Sequence, residues 1–591
     1  MFLRAHERRK DGKAHAYWSV VEMVRTADGP RQRRLCYLGE LNHAEQARWQ
    51  KTIEVFNEQG ESRQLKLFPS GVPVPEDDPQ VAQVLIQKVR LERVREFGAC
   101  WLGRELWRRL ELDQFFGARL DQEASEVPWS RVAAVLAINR LCAPGSELAL
   151  EQRWYPTTAL DDLLTIPEGK LNDTRLYRCL DRLLPHKLAL EQHLRKKYGE
   201  LFGAEFELLL YDLTSTYLEG AGEENPQMQR GYSRDHRPDC KQVVLALVVN
   251  SDGFPLSYEV FDGNRADVTT LEEILETVEE KYGRARRVWV FDRGLVSEEN
   301  LATLRRHQGQ YLVGTPRSKL MKFERHLLEG GWEQVRPEVE VKLVSTGKGE
   351  ETYVLCRTRG RQEKERAIQQ RFSKRLEKAL ASLQKRVAQG KLKNRDKILL
   401  RLGRLEALHP QVADLYAWEL VQDQGQSEFR WQFREAKRTW QERREGAYLL
   451  RTNLPAEHPA ELWQQYMQLT EVEAAFRALK SELAIRPLYH QLEHRVQAHI
   501  LVAFLGYALW VTLKHWLKRK QLELSPGKVL ALLSSLHSAD IVLPTTDSRE
   551  IRLRRVTEPN EKQNKLLHQL GLSLPEQLNF NRECSADSKV A

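Results

Sequence analysis

Two aspartates close apolar runs in this chain: Phe206 to Tyr211 leads into Asp212, and Arg287 to Phe291 leads into Asp292, Arg293 and Gly294. A short apolar run bounded by polar residues suits a central strand covered on both faces, and a carboxylate just past its end sits where open α/β sheets place their ligands. A single Asp in that position also starts turns. Two such strands set two hard oxygen ligands side by side. A third acid lies on the helical stretch Pro459 to Leu483, where Tyr466, Glu473 and Lys480 are spaced by seven residues. At ~3.6 residues per turn, two turns bring all three onto one face. A carboxylate, an ammonium and a phenol on one stripe suit phosphate chemistry, with the acid holding a metal and the lysine a phosphate. On spacing alone Glu471 and Glu482 compete with Glu473, and an ion-paired surface helix has the same pattern.

The elements that must position these residues are legible in outline. The chain of 591 residues is 41% hydrophobic and 30% charged, which makes several domains and a sizeable core. Its 92 Lys and Arg against 83 acidic residues favour a polyanionic partner. Seven cysteines without a Cys-x-x-Cys pair argue against a disulfide framework or zinc site and suit a reducing cytoplasm. No signal-peptide pattern opens the chain, and the apolar stretch Ile500 to Leu513 is too short to span a bilayer, so a buried core helix and no membrane are expected.

Residues 1–59 read as a β-rich module, 60–80 as a Pro-rich linker, and 81–203 as helical, packed for its own sake or carrying a helix-turn-helix reader of DNA. Residues 204–316 give strand, hairpin strands around Asn250 to Gly253, helix, strand, helix and strand, a mixed α/β sheet. Ser297 is the expected N-cap of the second helix. Residues 317–444 interrupt the sheet with β pieces and a basic helical hairpin from Gln362 to Glu406, read as a solvated face or a DNA contact. Residues 445–518 return to the core with a strand and one long helix over Pro459 to Leu483, and 519–591 form a C-terminal region with a partly disordered tail.

Five motifs carry a resemblance: Tyr211-Asp-Leu-Thr-Ser-Thr216, Gly231-Tyr-Ser-Arg-Asp-His-Arg-Pro-Asp239, Phe261-Asp-Gly-Asn-Arg-Ala-Asp267, Phe291-Asp-Arg-Gly294 and Leu469-Thr-Glu-Val-Glu-Ala-Ala-Phe-Arg-Ala-Leu-Lys480. In this order they resemble the DDE transposases of bacterial insertion sequences, in the branch with a Tyr-x2-Arg-x3-Glu-x6-Lys signature and a β-rich insertion. The resemblance covers Phe206 to Leu513. It implies an RNase H-like core interrupted by an insertion domain, with Asp212, Asp292 and Glu473 as a triad binding two Mg²⁺ ions, for which Mn²⁺ can substitute. It raises Glu473 above Glu471, and names Tyr466, Arg477 and Lys480 as DNA contacts. Leu469 departs from the pattern, because it stands where the signature has Arg, whose phosphate contact is then absent or comes from another residue such as Arg477.

What the resemblance implies is a DNA transposase of the cytoplasm and nucleoid, homodimeric on paired DNA ends, that cleaves element ends and joins the freed 3′-OH to target DNA. An RNase H-like nuclease without strand transfer and a non-catalytic DNA-binding descendant are the rivals. A haloacid-dehalogenase-like phosphatase wants a second Asp two residues after the first, where this chain has Thr214.

Overall fold

The computed structural model describes residues 2–10, 13–26, 29–40, 53–56, 62–65, 84–345, 351–423, 426–455, 458–546, 549–575 and 578. Most of the linker expected over 60–80, and the tail beyond 578, lie outside these. The chain divides into two compact units: Leu106–Ser146 with Thr174–His515, and Met1–Glu105 with Glu147–Asp173 and Trp516–Ala591.

The first unit is built on a nine-stranded sheet. Its strands, in chain order, are β1 (Leu208–Tyr217), β2 (Gln242–Asn250), β3 (Pro255–Asp262), β4 (Val288–Phe291), β5 (Gln310–Gly314), β6 (Glu333–Arg336), β7 (Val339–Ser345) and β8 (Thr352–Thr358). A separate hairpin follows, β9 (Tyr416–Asp423) and β10 (Gln426–Phe433), before β11 (Ala447–Thr452) completes the large sheet. Helices that serve the argument are α1 (Leu271–Tyr282), α2 (Glu298–Arg306), α3 (Arg359–Ala388), α4 (Arg395–Leu408), α5 (Pro459–Met467), α6 (Leu469–Arg477) and α7 (Glu493–Arg519).

Across the sheet the order is β6-β7-β8-β11-β5-β4-β1-β2-β3. In its second half, β2 runs antiparallel to both β1 and β3, while β4 lies parallel to β1 and β5 parallel to β4. Mixed strands in that order, flanked by helices, form an RNase H-like core. All nine residues of β2 are buried, as expected for a strand covered on both faces. The turn into β3 is made by Asn250, whose Oδ1 accepts from Asp252 and Phe254 N–H at 3.1 and 2.9 Å, and by Gly253 at φ +87°. Ser297 caps α2, accepting from Asn300 N–H at 3.0 Å.

Three of the five described strands between Pro316 and Arg444 do not stand apart from this core. β11 pairs antiparallel with β5 on one side and β8 on the other, so β6, β7 and β8 extend the same sheet. The basic helices do form a core of their own. Leu376, Leu380, Leu383 and Val387 of α3 make an apolar stripe at helical spacing and bury against Ile398 and Leu402 of α4 and Tyr416 and Phe429 of the β9–β10 hairpin. Helix α7 is long and apolar enough to cross a membrane, but its side chains from Val496 to Leu513 are mostly buried within the protein.

In the other unit, Phe2–Lys10, Lys13–Thr26 and Gly29–Glu40 pair as an antiparallel three-stranded sheet. A second sheet joins Arg90–Glu96, near the start of the stretch read as helical, to His537–Pro544 and Glu550–Val556. Buried ion pairs fasten it: Arg95 reaches Asp161 at 2.6 Å and Arg554 reaches Asp540 at 2.6 Å. The opening of the expected tail is an ordered helix, Glu561–Leu570, with a capping box between Asn560 and Gln563.

Candidate active site

Strands β1 and β4 run side by side with Leu208 opposite Val288 and Leu210 opposite Val290. Two residues further along each chain stand Asp212 and Asp292. Because side chains alternate between faces, both carboxylates leave the sheet on the side of Leu210 and Val290. Asp292 continues the extended backbone of β4, at φ −78° and ψ 166°. The sequence puts Asp212 just past a strand end, and here the structure differs: β1 runs on to Tyr217, since β2 pairs with it throughout and Asp212 faces Leu247. The strand end that matters is that of β4, whose pairing with β1 stops at Leu210.

The third acid arrives on α6, which packs on β1 and β2. Glu473 is exposed there, and its charge is felt at Asp212. Burial above all, then the charges of Asp292 and Glu473, push the Asp212 carboxyl up to about 6, against the Leu213 N–H and the Arg234 guanidinium. Tyr466 donates its hydroxyl to Asp292 Oδ1 at 3.2 Å. Burial and Asp292 hold that phenol well above its ordinary pKa, so it stays a donor. Gly314 of β5 makes room for the pair: a Cβ there would come within 2.6 Å of Tyr466 Oη and 3.4 Å of Asp292 Oδ1.

The single long helix expected over Pro459 to Leu483 is in fact divided. Helix α5 ends at Met467, α6 begins at Leu469, and Ala478–Glu482 forms a π turn in which Leu483 N–H reaches Ala478 O at 2.9 Å. Lys480 rides on this turn. Its ammonium donates to Asp235 Oδ1 at 2.7 Å, and the Arg486 guanidinium pairs with the same oxygen. The Asp235 side chain is 2% exposed, and its Oδ2 has no hydrogen-bond partner among the described residues. Burial, then Arg234, press the Lys480 pKa below its ordinary value, and the charge of Asp212 opposes them.

Asp212 thus feels the charges of Asp292 and Glu473 and acts in turn on Lys480, while Tyr466 is bonded to Asp292; the oxygens of the three acids do not all come within 4.8 Å of one another. Arg477 faces solvent on α6 with no ion pair among the described residues, and Leu469 is half-buried at the start of that helix. Glu471 points elsewhere, to Lys514 at 2.7 Å. Asp235 and Arg234 were not assigned roles by sequence reasoning, although the motif Gly231 to Asp239 holds both. Its loop is pinned by close backbone contact: a Cβ at Gly231 would meet Gly263 O at 2.1 Å, and one at Gly263 would meet Gln242 O at 1.9 Å. Arg234 N–H donates to Ser215 Oγ at 3.2 Å and its guanidinium reaches Asp267 at 2.5 Å.

Residues 204–509 match the family model described as the transposase DDE domain. The chain belongs to the transposase DDE domain family. The match begins just before β1, ends within α7, and so includes all three acids. No curated protein matches the chain. Among solved structures, a cryo-EM structure of the piggyBac transposase synaptic complex with hairpin DNA is similar to it at a TM-score of 0.35 and 8% identity, over 73% of this chain and 79% of that one. The donor set of this family member fits a divalent cation. Burial and two neighbouring carboxylates disfavour the charged form of Asp212, a cost that a bound cation would offset, and carboxylate oxygens select hard ions.

Proposed function

We propose that this chain is a DDE transposase that cuts DNA at the ends of an insertion element and joins the freed 3′-OH ends to target DNA. The observation that carries the reading is that Asp212 and Asp292 follow adjoining strands on one face, with the charge of Glu473 felt at Asp212, inside the segment that matches the family. These three would hold Mg²⁺, two ions with Mn²⁺ as a substitute, whose charge activates water and stabilises the attacking and leaving oxygens of phosphodiester exchange.

The chain's own residues do the rest. Tyr466 orients Asp292 by donating to one oxygen, which leaves the other available as a ligand. Leu213 N–H and Arg234 favour the ionised form of Asp212 against its burial. Lys480, with Tyr466 and Arg477, would meet the DNA backbone, and the excess of Lys and Arg supplies affinity without regard to sequence. A homodimer on paired ends, acting in the cytoplasm on the nucleoid, completes the reading, in keeping with seven cysteines that include no Cys-x-x-Cys pair.

The test is to incubate the full chain and Mg²⁺ with duplex DNA carrying the sequences that flank its coding region, together with a target plasmid. Strand-joined products are expected. Cut ends that never join would make it a nuclease, and binding without cutting a non-catalytic DNA-binding protein.

A further inference from the structure

Beside Asp292 opens a cleft of about 230 Å³, lined by Arg293, Arg361, Tyr448 and Tyr466 over the bare backbone at Gly314. It continues into a small recess that adds Arg317. The charges around it do not balance. Glu365 is shared by Arg317 at 2.6 Å and Arg361 at 3.0 Å and also accepts from Gly446 N–H at 3.1 Å. Arg444 stands near the same carboxylate, with its Nε buried and unpartnered. Burial, then the charge of Arg317, press the Arg444 pKa down, with Glu365 opposing them. Arg293 is exposed and has no carboxylate partner among the described residues. Four guanidiniums, Arg293, Arg317, Arg361 and Arg444, thus gather about Glu365 and the Asp292 carboxylate that lines the cleft.

A guanidinium is a planar fork of donors that matches a phosphate, and Arg361 is held over the Tyr448 ring at 5.1 Å, which fixes its plane. The cleft shares Tyr466 and Asp292 with the site of the three acids. Its cations come from the loop after β4 and from the first turn of α3.

We infer that this cleft is a second phosphate site, in which Arg293 and Arg361 hold a phosphodiester of the same DNA strand next to the one that is cut. The inference rests on the DNA chemistry proposed above, and its test needs no cleavage. Full-length protein is titrated against a random-sequence duplex across a salt series without divalent metal. Arg293→Gln should lower affinity roughly tenfold at low salt and flatten the log-log salt dependence by about 0.9, the release expected for one phosphate contact. Arg293→Lys should restore the slope. Arg361→Gln should act in the same direction, and Arg293, which has no partner to strand, guards against misreading a folding defect. Unchanged affinity and slope in both Gln variants would overturn the site while leaving cleavage by the three acids untouched. Stabilisation by inorganic phosphate that is lost in both Gln variants, with DNA binding unaltered, would assign the cleft to a free anion and also overturn it. Absence of DNA binding in the wild type would sink the proposed function itself.

Discussion

The Lys480 ammonium lies 2.7 Å from Asp235 Oδ1, and Arg486 pairs with that same oxygen. One buried carboxylate therefore ties the π turn that follows the glutamate-bearing helix to the loop from Gly231 to Asp239 and holds two cations at once. Removing the carboxylate and removing one cation should differ. Asp235→Asn leaves Lys480 and Arg486 uncompensated beside Arg234 and should cost about 3–5 kcal/mol of stability. Lys480→Ala leaves Arg486 in place and should cost about 1–2 kcal/mol. Urea unfolding of the two variants separates them, and equal losses would mean that Arg486 does not share the load.

Asp212 ties stability to pH. Its carboxyl titrates near 3.8 when unfolded and at about 6 when folded. Between those values the folded chain keeps a proton that the unfolded chain has released, so stability falls as pH rises through this window and stays lower above it. The difference amounts to about 2–3 kcal/mol. Asp212→Asn should therefore stabilise the metal-free protein at pH 8, change little at pH 4, and abolish cleavage. Thermal melts at the two pH values check the first part. A destabilised variant at pH 8 would show that burial does not dominate this carboxyl.

The same window governs metal. Protons compete with cations for the Asp212 carboxylate, so Mg²⁺ should raise the melting temperature of the wild type clearly at pH 8 and weakly at pH 5. Asp212→Asn should lose most of the pH 8 effect. An equal rise at both pH values would place the ion somewhere other than at Asp212.

Glu473 and Glu471 lie two residues apart on α6 but face different partners. Glu471 is in a half-exposed pair with Lys514, and Glu473 is exposed toward Asp212. Glu471→Gln should cost less than about 1 kcal/mol and leave cutting intact. Glu473→Gln should abolish cutting without loss of fold. Comparable cleavage by the two variants would remove Glu473 from the acid set.

How much of this was legible in the sequence depends on the range over which each feature is encoded. The apolar runs before Asp212 and Asp292, the turn at Asn250 to Gly253 and the cap at Ser297 are local, and the structure has them at those positions. The length of β1 is not legible, because the apolar run stops at Tyr211 and Thr214, Ser215 and Thr216 are polar residues that only the pairing with β2 draws into the strand and buries. The strand Arg90–Glu96 carries alternating charges with little apolar signal, and its partner His537–Pro544 lies more than 400 residues away. The division of the helix at Gln468 has no Pro or Gly to announce it. Asp235 looked like one more charge in a polar loop, since nothing local says that its side chain is buried with Lys480 and Arg486.

Gly314 and Tyr466 supply a test of the site's packing that is independent of charge. A methyl at Gly314 would approach Tyr466 Oη at 2.6 Å, well inside contact distance, whereas the next atoms, Asp292 Oδ1 and Tyr466 Cζ, are each at 3.4 Å. The hydroxyl is therefore what the added carbon displaces. Gly314→Ala should cost about 1–3 kcal/mol as an overpacked site and should slow cleavage by turning Tyr466 away from Asp292. Tyr466→Phe removes one hydrogen bond, worth about 1 kcal/mol, and should slow cleavage about fivefold. The double variant removes the colliding atom, so its cost should fall below the two single costs taken together, and its cleavage rate should match that of Tyr466→Phe. Strict additivity in unfolding measurements would show that the methyl meets some other group, and that Gly314 is not there to admit the Tyr466 hydroxyl.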